Sequence, residues 1–113
     1  MPNFISADEL FHRILSIIEA EVDTPVNKLL HETLVLTCSE GLAGSNLAFG
    51  NLFAQVDFLC KKHHVTFSDT IAIQNMRRAS NRAENMPHED LMYACRALAV
   101  FVSAVFDTDI PSF

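Results

Sequence analysis

The sequence predicts an all-α fold, a single compact bundle of about five helices spanning residues 1–113. Three observations carry this. Apolar residues recur at helical spacing in five separate stretches. Four of the five open on a helix-start signal, at Ser6, Thr24-Pro25, Thr66 and Pro87. No alternating run of useful strand length is present, nor any internal repeat or low-complexity tract. Helices of roughly 12–20 residues with short connections then imply a bundle.

The first helix starts at Ser6-Ala-Asp-Glu9, a capping box in which the Ser hydroxyl serves the amide three residues on and Glu9 reaches back. Its apolar stripe is Leu10, Phe11, Ile14, Leu15, Ile17, Ile18 and Val22. Thr24 as N-cap and Pro25 at the first helical position start the second helix, which runs through Val26, Leu29, Leu30, Leu34 and Cys38 toward Gly41. Ser39–Asn46 holds two of the three glycines and reads as a loop. A third helix is expected from about Leu47 to Lys62, on Leu52, Phe53, Val56, Leu59 and Cys60. Thr66-Phe-Ser-Asp69 is a second capping box with Asp in the Glu position; the helix it opens carries Ile71, Ile73, Met76 and Ala79. The polar run Ser80–Met86 interrupts the pattern. Pro87 opens the last helix, where Glu89 and Asp90 suit the positive N-terminal end and Leu91, Ala94, Cys95, Leu98, Phe101, Val102, Val105 and Phe106 form the stripe.

Composition bounds the function classes. Half of the residues are hydrophobic and 19% are charged, which excludes a disordered acidic tail. No apolar run approaches the ~18–20 residues of a membrane span. A chain of 113 residues forms one domain, too small for a complete helicase, kinase or dehydrogenase. Cys38, Cys60 and Cys95 are odd in number, lack any CxxC spacing and sit in apolar helical contexts, so they read as buried thiols in a reducing, cytoplasmic protein. The start, Met-Pro-Asn-Phe-Ile-Ser, has no basic region of the kind that opens a signal peptide. The end, directly after a long apolar helix, leads us to expect the N-terminal domain of a longer protein.

Net charge is −6, which argues against nucleic-acid binding by the whole surface. The acidity is uneven. Residues 61–82 hold Lys61, Lys62, Arg77, Arg78 and Arg82 against Asp69 alone, while the segments on either side are both negative. A basic island of this kind is a candidate phosphate-contact surface. The competing reading is a solvated face whose cations pair with nearby carboxylates.

Metal and nucleophile motifs are sparse. Glu9 and His12 form one ExxH on one helix face, but a bundle di-metal site needs a second such pair and two more carboxylates. His63 and His64 are adjacent and diverge. Gly41 and Gly44 lack the context of a phosphate loop. No cofactor and no metal are expected.

The informative stretch is Met76-Arg77-Arg78-Ala79-Ser80-Asn81-Arg82-Ala83-Glu84-Asn85-Met86-Pro87-His88, followed by the long apolar helix. With Phe49–Lys62 before it, it resembles the HEPN-type helical domains, whose motif runs from an apolar residue and Arg through Gly-Asn and a spacer to His. Phe49–Lys62 and Ala94–Pro111 are also similar to the N-terminal helical region of large bacterial helicase-type ATPases. The resemblance covers Phe49 to Pro111. In this chain Ser80-Asn81 stands at the Gly-Asn, and Asn85 stands where the motif's His is expected. In active members, an Arg and a His implied by the resemblance act on RNA, the Arg on developing phosphorane charge and the His on protons. Arg78 and Asn85 keep the spacing, but an amide cannot shuttle a proton near neutral pH. Arg82 and His88 are the alternative pair.

The expected function is therefore a non-catalytic accessory domain of a nucleic-acid-processing, helicase-type ATPase. It would dimerise or dock through helix faces and meet nucleic-acid backbone through Lys61, Lys62, Arg77, Arg78 and Arg82, with Asn81 and Asn85 as motif residues. Expected partners are a second copy, the remainder of a longer chain and nucleic acid, with no membrane. Two alternatives stand beside it: an active metal-independent ribonuclease using Arg82 and His88, and a module that binds only protein.

Overall fold

A computed structural model describes residues 5–43 and 50–112. It contains five helices: α1 (Ala7–Ile18), α2 (Val26–Gly41), α3 (Leu52–Lys62), α4 (Phe67–Ser80) and α5 (His88–Phe106). No strand occurs among the described residues. The radius of gyration, 13.3 Å, is that of one folded unit of this length.

α5 is the centre of the bundle and packs against each of the other four helices. Leu91, Ala94, Cys95, Ala97, Leu98, Ala99, Phe101 and Val102 are all buried. At 100° per residue these positions cover about 200° of the helix circumference, so neighbours must surround it. The alanines let helix backbones approach, and Phe101 fills the middle. Leu10 and Ile14 of α1, Leu30 and Leu34 of α2, Leu59 of α3 and Ile73 of α4 complete the core.

The N-cap hydrogen bonds expected at Ser6 and Thr66 form, and Asn51 supplies a third that was not expected. Ser6 Oγ accepts from Glu9 N–H at 3.2 Å, Asn51 Oδ1 from Ala54 N–H at 2.8 Å, and Thr66 Oγ1 from Asp69 N–H at 3.1 Å. Asn51 explains why α3 starts at Leu52 and not at Leu47: it caps the helix from extended backbone (φ −151°, ψ 164°). The expected residues Leu47–Phe49 lie outside the described ones. α1 ends at Ile18, four residues earlier than its apolar stripe, and Val22 is left 96% exposed. Ile71 also falls outside the core, on the solvent side of α4.

The expected loop from Ser39 begins later, because Ser39 to Gly41 complete α2. Gly41 serves close approach: a Cβ there would come within 3.0 Å of the side chains of Leu59 on α3 and Val105 on α5. Residues 44–46 lie outside the described ones.

α3 and α5 end alike. In each, a residue just past the helix is left-handed: His64, the second residue after α3, at φ 57°, and Asp107, the first after α5, at φ 50°. Val65 N–H reaches back to Cys60 O at 2.9 Å, and Thr108 N–H to Ser103 O at 3.1 Å, as in a Schellman motif. Both positions favour glycine, since a Cβ strains this conformation. His64→Gly and Asp107→Gly are each expected to stabilise the fold by about 0.5–1 kcal/mol. Thermal melts check this; a lower Tm in both variants contradicts it.

Candidate functional site: the end of α4 and its cleft

α3 and α4 form an antiparallel pair. Thr70 lies at the Cys60 thiol, and the Arg77 guanidinium lies over the Phe53 ring, 5.4 Å from its centroid. This register divides the basic island. Lys61 and Lys62 sit at the α3–α4 turn, while Arg77, Arg78 and Arg82 gather at the other end of α4. At 1.5 Å per residue the two groups are about 12 Å apart along the helix axis.

The two groups differ electrostatically. Lys61 Nζ is 2.9 Å from Asp57 Oδ2, the one ion pair among the described residues. Beside Lys62, His63 reaches toward Asp107, and a polar hollow there includes Asp109. Burial first, then the Lys62 charge, pushes the His63 pKa down. None of Arg77, Arg78 or Arg82 meets a carboxylate at ion-pair distance. Arg77 is half-buried, donates from Nε to Gln74 Oε1 at 2.7 Å and stacks on Phe53. Arg78 and Arg82 are exposed. The expectation of surface ion pairing thus holds for Lys61 and not for the arginines.

Between α4 and α5 lies a cleft of about 330 Å³. Its wall is the connection 81–87, which is held from α2. Asn27, buried to 3% exposure, points its amide at one carbonyl at the end of α4, Ala79 (3.2 Å), and two in the connection, Arg82 (3.1 Å) and Glu84 (2.7 Å). Its Oδ1 accepts from Met86 N–H at 3.2 Å. Asn85 answers in the other direction. Its Oδ1 accepts from Asn27 N–H at 3.5 Å, and its Nδ2 donates to Thr24 O at 2.8 Å.

This exchange corrects the expected start of α2. Thr24 makes no side-chain cap; its carbonyl accepts from Val26 N–H and from Asn85. The first-turn amide of Asn27 is instead met by Asn85, 58 residues away. Asn85 therefore fastens the connection to α2. Asn81 follows α4 as its C-cap with right-handed backbone (φ −83°, ψ −7°). His88 is the exposed first residue of α5.

Asn27 is the structural residue the sequence reading missed. The available signal was its register: Asn27, Leu30 and Leu34 share a face by i, i+3 and i+7 spacing, so a polar residue stood in an apolar stripe. Tyr93 was also missed. It is 59% exposed, although it lies within the long apolar helix, and it lines the cleft together with Arg82, Glu84 and Asp90.

Elsewhere the chemistry is thin. Glu9 and His12 are exposed on α1, and among the described residues no group of three or more His, Cys, Asp or Glu is placed to hold a metal. His31 Nδ1 is buried without a hydrogen-bond partner, above a shallow apolar hollow between α1 and α2. All three cysteines are buried and free. Burial, with a smaller contribution from Cys60, pushes the Cys38 thiol up to about 12, and burial pushes Cys95 to about 12. Cys60 is raised by burial as well, against a lowering contact from Thr70. Thiols held this way are poor nucleophiles.

No protein-family model, curated protein or solved structure matches this chain. Among the described residues, no helix is long and apolar enough to cross a membrane.

Three outcomes test this architecture. Asn27→Ala strips the connection of its anchor and removes several part-buried hydrogen bonds, so it is expected to cost about 1–3 kcal/mol in urea unfolding; a cost under about 0.5 kcal/mol contradicts the anchoring role. The thiols also set an alkaline limit. Cys38 and Cys95 titrate near 9 when unfolded and near 12 when folded, so the unfolded state loses protons first as pH rises. Their stability is complete below about pH 9 and is lost between about pH 9 and 12, at up to roughly 1.4 kcal/mol per pH unit for each thiol. Urea midpoints across that range measure it. Iodoacetamide at pH 8 should leave the native chain unmodified and alkylate three thiols in urea.

Proposed function

We propose that this chain is a non-catalytic, HEPN-like helical accessory domain of a nucleic-acid-processing, helicase-type ATPase, and that it meets nucleic-acid backbone at the C-terminal end of α4. One observation carries the reading: Arg77, Arg78 and Arg82 gather there with no carboxylate partner. A cation without a carboxylate partner gives up no ion pair within the fold when it binds phosphate. Stacking on Phe53 also holds Arg77 in place before contact. Contacts of this type position a strand without reading its sequence.

The placement of the motif residues supports a non-catalytic role. Asn85, at the position of the motif's His, spends its amide on α2. His88 lies outside the residues that line the cleft, whereas Arg82 is among them. The second reading, a module that binds only protein, draws on Phe67, 82% exposed, and Ile71, one turn along on the outer face of α4.

Binding to short nucleic acid should fall with salt, with a log–log slope of about −2 to −3 for three phosphate contacts. Arg77→Ala with Arg78→Ala should bring the slope to about −1 or shallower. Lys61→Ala with Lys62→Ala should leave it unchanged. Fluorescence anisotropy between low and physiological salt gives these slopes. Absence of binding at low salt rejects the proposal, and binding of a partner protein that depends on Phe67 and Ile71 favours the second reading.

A further inference from the structure

The cleft between α4 and α5 is built from more than its arginine. Tyr93, Arg82, Glu84, Asp90 and Asn75 line it, and among the described residues none of these side chains forms a hydrogen bond or ion pair within the fold. Asn27 and Asn85 also border it, but their amides are already engaged, so they are wall and not ligand contacts. Ala79, Met86 and Pro87 supply apolar surface. A ligand for this set must present a flat apolar face, donors for carboxylates, and an anionic group for a nearby guanidinium.

We propose that the cleft seats an unpaired nucleobase bearing an exocyclic amine, stacked against Tyr93 within a single strand of nucleic acid. This deepens the backbone-contact reading above and rests on it. A base has a π-face for the Tyr93 ring, and stacking of this kind supplies much of single-strand affinity. Glu84 and Asp90 exclude phosphate from the cleft interior and accept from an exocyclic amine, as carboxylates do from cytosine N4. The attached phosphate then lies outside, toward Arg82 and Arg78, and the strand continues over Arg77 and Phe53. A base inside a duplex cannot enter, because its neighbours already cover both faces of its ring and its backbone cannot swing it out without unstacking and unpairing.

The test uses the whole chain and 5′-labelled oligo(dC), oligo(dT), a duplex of the same length, and free CMP. Anisotropy gives affinity, and the ring protons of Tyr93, the only tyrosine in the chain, report stacking by proton NMR. Oligo(dC) should bind at least about fivefold more tightly than oligo(dT) and shift the Tyr93 resonances upfield. Tyr93→Ala should weaken oligo(dC) binding at least about fivefold with an unchanged salt slope, and Tyr93→Phe should restore most of the affinity. Arg78→Ala with Arg82→Ala should flatten the slope instead. Equal or tighter binding of the duplex overturns the proposal, as does Tyr93→Ala that binds normally while the arginine variants lose affinity; in the latter case backbone contact survives without the base seat. Free CMP binding as tightly as the oligonucleotide overturns the strand. No binding by any oligonucleotide at low salt overturns both readings together.

Discussion

Burial of α5 is the constraint on which the other helices depend. A helix with apolar residues over more than half of its circumference cannot lie on a surface. It needs neighbours on several sides, and a chain this short can supply them only by folding its other four helices around it. Ala94, Ala97 and Ala99 keep that arrangement close. Gly41 does the same where α2 meets Leu59 and Val105. The antiparallel course of α4 and α5 is a consequence of their short connection, and the cleft forms where that connection turns.

The connection itself is polar, exposed over most of its length and without an apolar anchor except the half-buried Met86. Asn27 and Asn85 hold it in place by exchanging roles: one side chain satisfies the end of α4 and the carbonyls beyond it, and the other satisfies the start of α2. Helix ends always leave amides and carbonyls without intrahelical partners. Here two such ends, far apart in sequence, are satisfied by the same pair of residues. The cleft wall is thereby set from the core of the bundle, which gives Arg82, Glu84 and Tyr93 a fixed frame.

Charge follows the same geometry. An acidic protein can still present a local cationic surface if its carboxylates lie elsewhere, because exposed charges are screened beyond about 10 Å at 0.1 M ionic strength. The separation of Lys61 and Lys62 from the three arginines is of that order. Lys61 answers to Asp57, so its charge is already met within the fold. The arginines have no carboxylate at ion-pair distance, although Glu84 and Asp90 share the cleft with Arg82, so their guanidinium groups remain available to a partner.

The helical class, the approximate position of all five helices, the caps at Ser6 and Thr66, and the burial of all three cysteines were legible in the order of residues. These are local or compositional matters: a 3.6-residue period, a hydroxyl three residues from an amide, a small apolar side chain in an apolar stripe. The sequence also marked the basic segment and the stretch from Met76 to His88. The rest depends on contacts between residues distant in the chain. Thr24 does not cap α2 because Asn85, unrelated in local sequence, reaches that end first. The island splits because α3 and α4 run in opposite directions, which puts neighbours in sequence at opposite ends of a helix pair. Tyr93 joins Arg82 in one cleft because the short α4–α5 connection folds them together, and no periodicity within either helix encodes that meeting.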